Sequence, residues 1–180
     1  MTTFYGSRSL WTNLNGLREG VMNKILIAID DSEGALKAVD FVGRQFAGMS
    51  NLKIDILHVI PNLPAPLWDD GHILTEEERE ARKQVIDKWL INQELKLKPM
   101  FDKAVGKLTK MGLSQNQIEA RTVTDTLDVA ESILNEVKAG DYQMLVIGRH
   151  GYSKAKRFLM GSVASAIINR GAGAAICVVE

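Results

Sequence analysis

The 180-residue chain has a single cysteine, Cys177, which excludes an intramolecular disulfide and fits a reducing compartment. Charge of one sign is missing too: 22 Lys and Arg balance 22 Asp and Glu. A nucleic-acid partner held by bulk electrostatics is thereby disfavoured, since no surplus of positive charge is available to displace counterions. No apolar run approaches the roughly 18 residues that a membrane span needs. Residues 1–21 lack the continuous apolar stretch of a secretory signal. The expectation is a cytoplasmic protein with neither a membrane nor a nucleic-acid partner. Several chemistries are absent as well: there is no Walker A motif, no His-Glu-x-x-His and no clustered Cys/His set for zinc. Gly171-Ala172-Gly173 precedes an apolar run instead of following one, so it reads as a helix cap and turn.

What is present is an alternation of strand-like and helix-like segments. Lys24–Asp30 is a near-continuous apolar run of the kind a buried parallel strand shows. Ser32 is placed to cap a helix in which Ala35, Val39, Val42 and Phe46 recur at helical spacing. Lys53–Ile60 reads as a second strand, followed by a proline-rich loop from Pro61 to Trp68. A long charged helical segment runs from Thr75 to Met111, and Pro99 is expected to kink or split it. Gln117–Val123, Tyr142–Ile147 and Ala174–Val179 read as further strands, with helices at Asp125–Ala139 and Ser162–Arg170 between them. Five strands separated by helices predict an α/β fold, a five-stranded parallel doubly wound sheet of Rossmann-like type. Cys177, inside the last apolar run, is expected to be a buried structural residue.

The densest signal is Gly148-Arg149-His150-Gly151, with Gly161-Ser162 nine residues further on. It follows the apolar run Met144–Ile147 and precedes Val163, Ile167 and Ile168 at helical spacing. Glycines allow positive φ and close approach of a ligand to the backbone. The helix start that follows offers free N–H groups and the positive end of a dipole, with Ser162 as the expected cap. Strand, glycine loop and helix start together suit phosphate. Arg149, His150, Lys154, Lys156 and Arg157 surround the loop with charge that would offset a polyphosphate. His150 has no visible partner for acid–base work and reads as a spacer.

This Gly-x2-Gly-x9-Gly-Ser spacing resembles the phosphate motif of the universal stress proteins, in their ATP-binding branch. The resemblance covers Met22 to Glu180 and includes Lys24-Ile-Leu-Ile-Ala-Ile-Asp30-Asp31-Ser32-Glu33 and Ile56-Leu-His-Val59-Ile60. It implies strand order 3-2-1-4-5, with the switch point between the first and fourth strands, where Asp30 and Gly148 would meet. It further implies adenine-side contacts at Ala28 and Val59, a nucleoside contact at Asp30, and Ile147 as a further cofactor-binding residue. Gly148, Gly151, Gly161, Ser162 and Val163 would hold phosphates. The ligand would be ATP, or AMP or ADP, with Mg2+ or Mn2+ shared among phosphate oxygens. Residues 1–21 would be an N-terminal extension to a domain of residues 22–180, and the last strand would form a homodimer.

The function so implied is a nucleotide-dependent sensor or switch in stress response. A nucleotide-free partner-binding scaffold of the same fold, and a weak ATP hydrolase, stand as alternatives. Against hydrolysis, no positioned base or nucleophile is visible, and Asp30-Asp31-Ser32-Glu33-Gly34 lacks the Ser-Gly-Gly-x-Asp-Ser run of the related ATP pyrophosphatases. Two positions depart from the family pattern: Thr124-Asp125-Thr126-Leu127 lacks a glycine common after the third strand, and Gln143 replaces an acid. The segment 62–74 is also long for the family.

Overall fold

The computed structural model describes residues 23–61, 73–126, 128–151 and 160–180. The expected N-terminal extension, most of the 61–74 loop, Leu127, and Lys154, Lys156 and Arg157 lie outside the described residues.

Five parallel strands form one sheet: β1 (Asn23–Ala28), β2 (Leu52–Pro61), β3 (Ile118–Thr126), β4 (Met144–Gly148) and β5 (Ala175–Val179), in the order β3-β2-β1-β4-β5. Between them run α1 (Glu33–Phe46), α2 (Glu76–Lys110), α3 (Val129–Ala139) and α4 (Ser162–Arg170). The helices cover both faces, as parallel strands require, and each face buries its own core. On one face Ile25, Ile27, Ile54, Ile56 and Val146 pack with Val39 and Val42 of α1 and with Met100, Ala104 and Leu108 of α2. On the other, Leu26, Leu57, Leu145 and Ile147 pack with Ile133, Leu134 and Val137 of α3 and Ile167 of α4. Alternation of side chains along each strand accounts for the division: odd residues of β1 face one way and even residues the other.

Local chemistry sets the helix ends. Ser32 Oγ accepts from the Ala35 N–H at 3.1 Å and starts α1. Thr75 and Glu78 form a reciprocal capping box at the head of α2. Asp128 accepts from the N–H groups of Ala130 and Glu131 at the head of α3 and also pairs with Arg170 at the end of α4, 2.6 Å away. Gly171 ends α4 with φ 73°, and its N–H bonds the Ile167 carbonyl, as its placement in the sequence implies. Gln143 ties β1 to β4: its side-chain oxygen accepts from the Lys24 N–H at 2.6 Å.

Four expectations require correction. α2 is not split at Pro99 but runs unbroken through it. A proline deletes one intrahelical bond, here to the Leu95 carbonyl, and the packing of Met100, Ala104 and Leu108 just beyond keeps the segment helical. β3 extends to Thr126 and α3 starts only at Val129, because Asp128, not Asp125, caps it. Asp30 lies two residues past the end of β1. Cys177 is half-buried against the α1–α2 core, and desolvation raises its thiol pKa.

Beneath the C-terminal end of α3 the sheet carries a polar cluster. The Tyr142 hydroxyl donates to Asp55, and Arg121 reaches both Glu136, at 2.6 Å, and the Tyr142 oxygen, at 3.4 Å. Burial foremost, then the Asp55 carboxylate, pushes the Tyr142 phenol up to about 12, against the opposing pull of Arg121.

Candidate functional site

β1 and β4 are neighbours whose connections leave toward opposite faces of the sheet, so a crevice opens beyond their carboxyl ends. It is a cavity of about 490 Å³. All nine residues expected at the site line it: Ala28 and Asp30 from the end of β1, Val59 from β2, Ile147 and Gly148 from β4, Gly151 from the loop, and Gly161, Ser162 and Val163 at the start of α4. Residues more than a hundred positions apart in sequence thus share one wall.

The two sides of the crevice are bonded to each other. Asp30 Oδ1 accepts from the Ser32 N–H at 3.2 Å, and Ser32 Oγ in turn reaches the His150 carbonyl at 3.4 Å. The cap of α1 is therefore also a strut against the glycine loop. The loop is closed at its base, where the Gly161 N–H donates to the Arg149 carbonyl at 2.9 Å. Past that closure the N–H groups of Ser162, Val163 and Ala164 have no acceptor within the helix; the first intrahelical bond runs from Ser165 to the Gly161 carbonyl. Three donors and the positive end of α4 thus meet at the cavity wall, an arrangement suited to an anion.

One of the two expected uses of the motif glycines, positive φ, is not made. Gly148, Gly151 and Gly161 do not adopt left-handed φ; positive φ falls instead at Gly48, Gly112, Gly171 and Gly173. Room is what they supply. A β-carbon at Gly148 would lie 2.5 Å from the Gly34 carbonyl carbon, and one at Gly34 would lie 2.4 Å from the His150 oxygen, so the two glycines let α1 and the loop touch backbone to backbone. At Gly151 a β-carbon would meet the Asp30 carboxylate at 2.6 Å, which places that acid against the loop. Ser162 is not the cap either. Gly161 holds that position, with φ −58° and ψ 151°, and Ser162 is the first residue of the helix, its side chain exposed.

Arg149 lines the cavity beside the glycine loop, and its guanidinium pairs with Glu180 next to β5. Among the described residues the His150 side chain has no hydrogen bond, whereas its carbonyl accepts from Ser32 Oγ. Sequence reasoning missed His58, Val129 and Ile133, which also line the cavity. His58 Nδ1 sits 2.8 Å from the Ile29 carbonyl and must carry the proton there, so it ties the ends of β1 and β2 together. Two polar residues, Asp55 and His58, interrupt the apolar run Ile54–Ile60, and the second of them was the available signal. Val129 and Ile133 show only helical spacing, and which helix face meets the crevice is settled by the fold.

The profile of the universal stress protein family matches residues 22–173. The chain belongs to that family. It is similar to universal stress protein YxiE of Bacillus subtilis, 25% identical over 150 residues that cover 79% of this chain and 89% of the relative. Among solved structures, a universal stress protein in complex with cAMP shares the fold with TM-score 0.56 and 20% identity, over 88% of this chain and 96% of the other. A universal stress protein family protein from Arabidopsis thaliana with AMP bound does so with TM-score 0.51 and 18% identity, over 87% and 90%.

Proposed function

We propose that this protein binds an adenine nucleotide, ATP foremost, in the β1–β4 crevice and acts as a nucleotide-dependent switch in stress response. The observation that carries the reading is the convergence of Asp30, the glycine loop and the N-terminus of α4 on one cavity of about 490 Å³. Asp30 would accept from ribose hydroxyls, while Ala28, Val59 and Ile147 offer an apolar wall to the base. Gly148, Gly151 and Gly161 leave room for phosphates beside the N–H groups of Ser162 and Val163. That two family members of the same fold were solved with AMP and cAMP supports the choice of an adenine ligand. A divalent ion would ride on phosphate oxygens: among the described residues no group of three or more His, Cys, Asp or Glu is placed to hold a metal. Also among them, no helix is long and apolar enough to cross a membrane. Residues 1–21 are assigned to an extension outside the nucleotide-binding domain.

The same reading includes a homodimer built on β5. Among the described residues this strand pairs only with β4 and is an edge of the sheet. The Ala175 N–H bonds the Gln143 carbonyl and the Val179 carbonyl accepts from Arg149, so odd residues face β4. The backbone groups of Ile176 and Val178 then face the open edge, available to a second copy.

The test is mass spectrometry of small molecules released from freshly purified protein, followed by calorimetry with ATP and GTP. Release of ATP, ADP or AMP, and tighter binding of ATP than GTP, are the expected results. Equal affinity for the two would overturn the adenine assignment, and no binding of either would overturn the site.

A further inference from the structure

α2 is too long for the domain it packs on. Its 35 residues span about 52 Å, yet its buried residues, Met100, Ala104 and Leu108, all lie after Pro99. No residue of the stretch before Pro99 is fully buried, and it carries the exposed apolar side chains Val85, Ile91 and Leu95, 51%, 55% and 62% accessible. At 100° per residue these three fall within about 120° of one another, on a stripe that also takes in Ala81 and has Lys88 at its middle. A helix of this length that shows apolar residues to water is short of a partner.

The charges on the stripe's borders indicate which partner. Glu76, Glu77, Glu78 and Glu80 crowd one end of the overhang, while Lys96 and Lys98 stand at the other. Glu78 and Lys96 lie 18 residues apart, five full turns, and so share one flank; Glu80 and Lys98 share the opposite flank for the same reason. In an antiparallel pair related by a two-fold axis, residues on the same flank of the two helices meet. With the axis at Lys88, Glu78 of one copy comes level with Lys96 of the other to within one turn, and Glu80 with Lys98. Val85 comes level with Ile91. A parallel pairing would instead set acid against acid.

We infer that the overhanging half of α2 is a self-complementary interface, on which a second copy of this chain docks antiparallel with Lys88 at the two-fold axis. It is separate from the β5 edge and independent of nucleotide. The contact is narrow, one helix pair about 30 Å long, and Lys88 faces its own copy at the centre. The association is accordingly weak, in the micromolar range. Lys98 also holds Asp102 within its own helix at 2.8 Å, an exposed pair that can yield to the intermolecular one.

Cysteine scanning tests this in a Cys177→Ala background. Lys88→Cys, at the axis, should form a disulfide-linked dimer under mild oxidation at least tenfold faster than Lys83→Cys, which lies on the other side of the helix. Sedimentation equilibrium of the otherwise native chain gives the second readout. Glu80→Lys, which leaves the Thr75–Glu78 capping box intact, should weaken association several-fold, and adding Lys98→Glu should restore it. Lys88→Leu should strengthen it. Equal crosslinking at positions 88 and 83, or charge reversal without rescue by the second reversal, would overturn the inference and leave the stripe to a different partner.

Discussion

Replacing each motif glycine with alanine should separate architecture from binding. At Gly148 the new β-carbon would lie 2.5, 2.7 and 3.0 Å from the carbonyl carbon and oxygen of Gly34 and the nitrogen of Ala35. Ordinary contacts at such a carbon begin near 3.4 Å. The overlap is thus up to about 1 Å, and it is with backbone at the first turn of α1, which no rotamer change relieves. A misfit of this kind costs about 1–3 kcal/mol, or a fall in Tm of roughly 2–12 °C for a chain of this size. At Gly161 the nearest atom is the Arg149 oxygen at 3.1 Å, and alanine is also a poorer helix cap, so a loss of about 1 kcal/mol is expected. At Gly151 the β-carbon meets only the Asp30 carboxylate, the free end of a side chain that can swing away. Stability should then change by no more than about 0.5 kcal/mol, but Asp30 is displaced from the crevice, and loss of its hydrogen bonds to ribose should weaken ATP about tenfold or more. Urea unfolding gives the stability order and calorimetry gives the affinities. Should Gly148→Ala unfold at the wild-type midpoint, or Gly151→Ala be the least stable of the three, the steric argument is wrong.

Three further outcomes follow from the same structure. Asp30→Asn should keep the fold and lower ATP affinity by a few-fold to tenfold in calorimetry, since an amide accepts fewer hydrogen bonds than a carboxylate; unchanged affinity would remove Asp30 from the site. The Tyr142 phenol, at 10.0 unfolded and about 12 folded, contributes stability that is complete below pH 10 and lost as pH rises toward 12. The gap in urea midpoint between wild type and Tyr142→Phe should therefore narrow across that window, and a constant gap would contradict the assignment. Ile176→Pro removes an N–H from the open edge of β5 while sparing the bonds to β4, so light scattering should show the β5-paired dimer dissociating while circular dichroism stays unchanged; a protein whose association is indifferent to this change does not pair through β5.

How far the sequence reached can be read from particular residues. The apolar runs of Ile25–Ile29 and Leu145–Ile147 announced buried parallel strands, because a strand covered on both faces has no polar side to alternate with. Gly-x2-Gly-x9-Gly-Ser announced a tight loop before a helix, and all nine residues named from it and from the resemblance line one cavity. Ser32, Gly140 and Gly171 marked helix ends through local hydrogen-bond needs that involve a few neighbouring residues only.

What the tertiary structure decided are matters of spacing between distant segments. The glycines looked like sites of unusual φ, whereas Gly34 and Gly148 are close contacts across the sheet, invisible until α1 and β4 are packed together. Arg149 belongs to Glu180 because β5 runs beside the glycine loop, and His58 enters the cavity wall because β1 ends level with it. Pro99 fails to split α2 because long-range packing outweighs one missing hydrogen bond. Local sequence carries propensity and pattern, which act over a few residues; which backbone touches which is set by the sheet order, and on that the shape of the crevice depends.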